Sequence, residues 1–258
     1  MLPFAESSAA IQGRRSYQED SCAVAKVAET IGGSTVRLLA VLADGMGGHA
    51  GGARASRTIC GTMIASFGAQ AEGDDSVATR LLGCLAASNK AIGDIVEAEA
   101  GLAGMGATVV GVAVEDDRLH WISVGDSPLY LVRGGEIARL NEDHSLAPML
   151  DKMAAEGRIS REAAASDPRR HYLRSAVTGE ELDLVDQPAK PLPLEAGDCI
   201  LVMSDGIHTL EESEIAAIVA AEQPAGPERI VARLLASVEA AHDTHQDNTT
   251  VIAIVFGG

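Results

Sequence analysis

The sequence predicts an α+β fold, a four-layer α/β/β/α sandwich of two packed antiparallel sheets with helices outside. Three observations predict it. Between Ala107 and Leu140, four short apolar segments follow one another with turns between them. Two separate pairs of amphipathic helical patterns occupy residues 52–99 and 211–241. Strand patterns stand at both ends of the chain, outside those pairs. Sequential strands without intervening helices argue against a doubly wound parallel sheet.

Residues 1–8 read as a short unstructured lead. Ala9 to Gly13 and Cys22 to Val27 read as strands joined by the loop from Arg14 to Asp20. A Gly-Gly turn within Ile31 to Thr35 folds the second strand back along Val36 to Ala43 as a hairpin. Gly52 to Phe67 repeats Ala55, Ile59, Met63 and Phe67 at a spacing of four. Asp74 to Glu99 places Val77, Leu81, Leu85 and Ala86, then Ile92 and Val96, on one face, so both segments read as helices.

Strands return at Ala107 to Glu115, Arg118 to Val124, Leu129 to Arg133 and Glu136 to Leu140. The stretches EDDR and RGGE are hairpin turns, and the four strands read as one antiparallel meander. Asp143 to Leu182 breaks this rhythm with two short helical patterns, Ala147 to Gly157 and Ser160 to Ala165, ended by Asp167-Pro168. An insertion of this length between strands is often functional. Leu182 to Gln187 and Asp198 to Met203 read as strands with the turn EAGD between them. Helices follow at Glu211 to Ala220 and Pro227 to Ala241, the latter with Ile230, Leu234 and Val238 recurring every four. Val251 to Phe256 closes the sheet. The whole reads as one domain, 9–257.

Composition narrows the function. The net charge is −17, which speaks against partners that are nucleic acid or an anionic membrane surface. Aromatic residues are only 3%, too few for a base-stacking platform. Cys22, Cys60, Cys84 and Cys199 lack CxxC spacing and sit in apolar contexts, so they read as free buried thiols rather than a zinc site or disulfides. The N-terminus has no basic n-region or long apolar run, and no stretch is long enough to span a membrane. The expectation is a cytoplasmic protein.

The chemistry-bearing feature is a carboxylate at the end of strand after strand. Leu38 to Leu42 is an apolar run that stops at Asp44, followed by Gly45, Gly47, Gly48, Gly51 and Gly52. LVMSDG repeats the pattern with Asp205, and VGDS repeats it with Asp126. HQDNT places Asp247 just before the last strand, and SYQED places Glu19 and Asp20 before an early one. A single Asp-Gly is most often only a turn. Five acidic sites at five strand ends are poorly explained by independent turns, and oxygen donors on rigid supports favour Mg2+ or Mn2+ over softer metals.

The chain resembles the metal-dependent protein serine/threonine phosphatases of the PP2C (PPM) type in their bacterial form. The resemblance runs from about Gly13 to Phe256 and is carried by RRSYQED, LADGMGGHAGGARAS, GMGATVVGV, ISVGDSPLYLVRGGEI, LVMSDGI and QDNTTVIAIV, in family order. It implies the same four-layer sandwich, and it implies that 143–182 is a flap subdomain beside the active site. It implies hydrolysis of phosphoserine and phosphothreonine with two Mn2+ or Mg2+ ions, which make water nucleophilic and stabilise phosphoryl charge. By resemblance, Asp44 bridges the ions, the Gly45 carbonyl binds one, and Asp205 and Asp247 hold the other. Glu19 and Asp20 match acids that reach the metals mainly through water. Asp126 with Asp205 matches a third-metal site. Arg15 matches the arginine that grips phosphate, a role suited to a guanidinium with two parallel donors. The implied partners are phosphorylated Ser/Thr proteins, a Ser/Thr kinase or its targets, and the implied state is a monomer.

The chain departs from the family pattern at several places. Met46 stands where some members have a histidine proposed as general acid. Pro128, Ala107 and Ala53 replace a usual arginine, threonine and acid. His49 matches a histidine common in the bacterial form and reads as a structural hydrogen-bonding residue. No Cys-x5-Arg loop exists for a thiol nucleophile. Two other readings stay open: a non-catalytic phosphatase-like regulator that binds phosphoproteins, and a hydrolase of small phosphate esters. A non-catalytic module usually loses metal acids, and here Asp44, Asp205 and Asp247 are all present.

Overall fold

The computed structural model describes residues 1–31, 33–48, 50–69 and 76–257. His49, part of the Gly-Gly turn and the first residues of the segment expected to open the second helix lie outside the described residues. Two five-stranded antiparallel sheets form the centre. The first contains β1 (Phe4–Ile11), β8 (Leu129–Arg133), β9 (Glu136–Arg139), β11 (Cys199–Met203) and β12 (Thr249–Phe256), in the order β1-β12-β11-β8-β9. The second contains β2 (Ser21–Ile31), β3 (Ser34–Ala43), β6 (Val109–Glu115), β7 (Arg118–Val124) and β10 (Leu192–Pro193), in the order β10-β7-β6-β3-β2. A two-stranded ribbon, β4 (Gly45–Met46) with β5 (Gly106–Ala107), lies beside Asp44.

Alternation along the strands explains the layering, because successive side chains point to opposite faces. In β3, Leu38, Ala40 and Leu42 enter the core between the sheets, packing with Val110, Val112, Ile200 and Ile252. Leu39, Val41 and Ala43 face the other way, onto α1 (Ala50–Ala69) and α2 (Val77–Ala98). In β12, Ile252, Ile254 and Phe256 enter the central core, while Val251 and Ala253 face α5 (Glu212–Glu222) and α6 (Pro227–Ala240). Both faces of each sheet are covered, which is why these strands read as continuous apolar runs. The four-layer sandwich is the expected one.

Four expectations are corrected. Residues 1–8 are not an unstructured lead: β1 begins at Phe4 and pairs with β12 from Phe4↔Phe256 to Ile11↔Thr249. It is an edge strand, so its pattern of half-buried and exposed side chains carries little apolar signal. Leu182 to Gln187 is not a strand; its Asp186 makes one isolated bridge to Ser123 and accepts a hydrogen bond from Trp121 Nε1 at 2.9 Å. The four strands from Ala107 to Leu140 are two hairpins, not one meander. β6 and β7 belong to one sheet and β8 and β9 to the other, so the chain crosses between sheets at Gly125 to Pro128. On α2, Ala86 is exposed and Cys84 takes the buried position beside Leu81 and Leu85.

The segment 143–182 holds α3 (Ala147–Ala155) and α4 (Arg161–Ala165). It closes on itself through Arg170, bidentate to Asp151 at 2.7 and 2.8 Å, and is tied to the sandwich by the bridge Ala107↔Val177. Cys60, Cys84 and Cys199 are buried and none of them is in a disulfide, as expected, while Cys22 is half-buried. No helix among the described residues is long and apolar enough to cross a membrane.

Candidate active site

The strand-end acids come together on one rim of the sandwich. Asp44 follows β3 of the second sheet, Asp205 follows β11 of the first, and Asp247 precedes β12 of the first. Asp126 rides the crossover between the sheets, and Glu19 and Asp20 close the loop from β1 to β2. A cleft of about 290 Å3 is lined by Arg15, Glu19, Asp44, Gly45, Asp126, Asp205 and Asp247. Of the expected site residues, only Asp20 stands behind this lining.

Local packing sets each acid. Asp20 is 8% exposed, and its Oδ2 accepts hydrogen bonds from Ser204 Oγ and Thr250 Oγ1, both at 2.7 Å. The Asp44 carboxyl lies beside those of Asp20 and Asp205, close enough for their charges to act on one another. The Asp44 N–H donates to Thr108 Oγ1 at 3.3 Å, and its carbonyl accepts from the Thr108 N–H at 2.9 Å. Asp247 Oδ2 accepts from Arg15 Nη2 at 2.5 Å. Asn248 ties the Arg15 loop down: its Nδ2 donates to the Gln12 and Tyr17 carbonyls at 2.8 and 3.0 Å, and its Oδ1 accepts from the Glu19 N–H at 2.8 Å.

The glycine after each Asp is required by close approach. A Cβ on Gly45 would stand 2.3 Å from the Gly52 carbonyl oxygen and 2.5 Å from that of Glu19. A Cβ on Gly206 would stand 2.2 Å from the Asn248 carbonyl oxygen. The two Asp-Gly pairs are therefore places where another stretch of backbone touches the strand end.

Crowding of like charges shows in proton affinity. Burial, then Asp20, Asp205, Asp126 and Asp247, holds the Asp44 carboxyl well above the usual carboxylate range. Burial, then Asp126, Asp247 and Asp20, pushes Asp205 up to about 7. Burial and Asp143 push Asp126 up to about 6. Burial raises Asp20 despite its hydroxyl donors. Groups so arranged take up positive charge, as protons or as cations.

The donor set fits a hard divalent ion. Asp20 Oδ1 and Asp205 Oδ1 are sequestered from solvent with no hydrogen-bond partner among the described residues. Orphaned carboxylate oxygens of this kind call for a cation. Among the described residues, no three His, Cys, Asp or Glu side chains are already drawn up as a closed metal cage. The fit rests on the unpartnered oxygens and the donor chemistry.

The family model described as Protein phosphatase 2C matches residues 12–246. The chain belongs to the protein phosphatase 2C family. Among relatives of this family, the serine/threonine protein phosphatase PstP of Mycobacterium tuberculosis is 39% identical over 171 residues, 66% of this chain and 32% of PstP. The chain thus spans about a third of that relative's length. Protein phosphatase PhpP of Streptococcus pneumoniae is 30% identical over 190 residues, 73% of this chain and 75% of PhpP. The crystal structure of M. tuberculosis PstP/Ppp superposes with a TM-score of 0.79 at 28% identity, covering 99% of each chain. That of the PstP catalytic domain in complex with two manganese ions gives 0.77 at 27% identity, covering 100% of each.

This protein phosphatase 2C chain also brings residues to the site that the sequence did not flag. Thr108, Asn248, His171 and Leu173 line the cleft, and Ser204 and Thr250 clamp Asp20. Ser204, Asn248 and Thr250 sit inside the quoted motifs MSDG and QDNTT, so motif contiguity could have found them. His171 and Leu173 come from the 143–182 insertion, where no local pattern marks them. Pro128 ends the crossover between the sheets, and Arg139 Nη2 reaches the same loop, donating to the Asp126 carbonyl at 2.7 Å.

Proposed function

We propose that this chain is a metal-dependent phosphatase of phosphoserine and phosphothreonine proteins, acting in the cytoplasm on the targets of a Ser/Thr kinase or on the kinase itself. One observation carries the reading: Asp44, Asp126, Asp205, Asp247 and Glu19 converge with Arg15 on a single cleft. Asp44, the Gly45 carbonyl, Asp205 and Asp247 would hold two Mn2+ or Mg2+ ions, with Glu19 and Asp20 outside them and Asp126 with Asp205 toward a third. Bound there, the ions would lower the pKa of water and offset phosphoryl charge.

The chain's own groups do the rest. Arg15 offers its guanidinium to the phosphoryl oxygens. Asn248 holds the Arg15 loop in place. Ser204 and Thr250 fix Asp20 beside Asp44. The two sheets and their helices form one domain, with 143–182 as its flap beside the cleft.

The test is phosphate release from a phosphothreonine peptide with Mn2+, with Mg2+ and with chelator, beside Asp44→Asn. Metal-dependent release that collapses in the variant is expected. A folded, metal-binding wild type that releases no phosphate from any phosphopeptide would overturn the reading.

A further inference from the structure

Phosphoester cleavage leaves a seryl or threonyl oxygen that departs as a strongly basic alkoxide unless it is given a proton. A positioned acid supplies that proton and typically contributes about 10²–10⁴ in rate. The position occupied by a histidine in some members is Met46 here, and a thioether carries no proton.

Among the described residues, the cleft lining contains Arg15, Asn248, Thr108, several carboxylates and one imidazole, that of His171. A guanidinium is not a practical proton donor near neutrality, and that of Arg15 is bonded to Asp247. Thr108 Oγ1 is bonded to Ser127 Oγ at 2.7 Å. Imidazole is the side chain that most readily carries and releases a proton near neutral pH.

The backbone around His171 is fixed while its ring is uncommitted. The Arg170 guanidinium is bidentate to Asp151. The Tyr172 N–H donates to the Arg169 carbonyl at 2.8 Å, and the Tyr172 carbonyl accepts from the Leu146 N–H at 3.0 Å. The His171 ring makes no hydrogen bond or ion pair to any described residue. It lies close enough to Asp126 for their charges to interact, and it lines the same cleft as Arg15. An uncommitted imidazole on a pinned backbone, lining the acidic cleft, is placed for proton delivery to a leaving group.

We infer that His171 donates the proton to the departing seryl or threonyl oxygen. This rests on the phosphatase reading above. A water oxygen forms the new bond to phosphorus and gives its proton to solvent. The bond from phosphorus to the substrate oxygen breaks, its electron pair stays on that oxygen, and the oxygen takes the His171 proton. The products are the free hydroxyl and inorganic phosphate, and the neutral imidazole regains its proton from solvent.

The experiment compares two substrates in Mn2+-loaded wild type and His171→Asn. One is a phosphothreonine peptide, whose alkoxide needs a proton. The other is p-nitrophenyl phosphate, whose phenolate leaves without one. His171 is exposed, so the variant folds, and an unchanged thermal midpoint checks this. The expected result is a fall of about 10²-fold or more in kcat for the peptide with KM little changed, and a change within about twofold for the aryl ester. An equal fall on both substrates would overturn the assignment in favour of a binding or structural role. No fall on either would also overturn it, as would a peptide-selective loss in His49→Asn instead. A wild type that cleaves neither substrate would sink the phosphatase reading itself, and the proton-donor role with it.

Discussion

Arg15 Nη2 donates to Asp247 Oδ2 at 2.5 Å, joining positions 232 apart in sequence. One partner is the proposed phosphate grip and the other a proposed metal ligand, so the guanidinium and an ion compete for one carboxylate. Exposed pairs of this kind are worth about 0.2–1 kcal/mol, up to about fivefold in an equilibrium. Arg15→Gln is therefore expected to bind Mn2+ as tightly as wild type or a few-fold more tightly by calorimetry, while its KM for a phosphopeptide rises about tenfold or more. Weaker Mn2+ binding in the variant would contradict the competition.

Asp205 gives a pH prediction with a definite sign. Its carboxyl is raised to about 7 in the folded chain from an ordinary value of 3.8. The folded state then binds more protons than the unfolded state between these values, so stability falls as pH rises through that window. The cost is complete above pH 7 and absent below pH 4. In chelator, Asp205→Asn is expected to melt several degrees higher than wild type at pH 8, with the gain shrinking to nothing near pH 4. A gain independent of pH would show that crowding of charge is not its cause.

Gly206 meets the Asn248 carbonyl and the Thr249 hydroxyl, so even a methyl group has no room. Gly206→Ala is expected to cost about 1–3 kcal/mol in denaturant unfolding, the usual penalty for overpacking. The variant is also expected to bind Mn2+ less tightly, because the strained turn carries Asp205. A neutral substitution would mean that β12 yields more easily than its pairing implies.

Asn248 makes three hydrogen bonds to the loop that carries Arg15 and Glu19. At about 1 kcal/mol each, Asn248→Ala is expected to lose roughly 2–3 kcal/mol. Hydrogen exchange should show faster exchange of the amides from residue 12 to 19, while β12 stays protected. Uniform acceleration through the sandwich would point to a global effect instead.

Much of this was legible in the sequence. β3 and β12 announced themselves because both faces are covered, so each reads as an unbroken apolar run. The strand-end acids were legible because each stands where such a run stops or begins, with glycine after Asp44 and Asp205. β1 was not legible, because an edge strand with half-buried side chains has no pattern to read. Residues 182–187 misled because Leu182 and Leu184 alternate like a strand while Asp186 is spent on Trp121. The split of the meander was hidden because hairpin turns report neighbours in sequence, not which sheet a hairpin joins. Ser204 and Thr250 escaped because their task is set by Asp20, 184 and 230 positions away. His171 escaped because only the folding of the insertion brings it to the cleft.

The acids do not belong to one sheet. Asp44 hangs from the sheet of β3, Asp205 and Asp247 from the sheet of β11 and β12, and Asp126 from the strap that passes between them. A cation held by all of them would therefore act as a rivet through the seam of the sandwich. Sliding of one sheet over the other by an ångström or two would leave every helix and strand intact and still spoil the spacing of the ligands. Ion affinity is in this sense a gauge of inter-sheet alignment, and it would fail before any loss of secondary structure could be seen. Substitutions deep in the central core, such as at Leu42 or Ile252, would reach the chemistry by that route without touching the cleft.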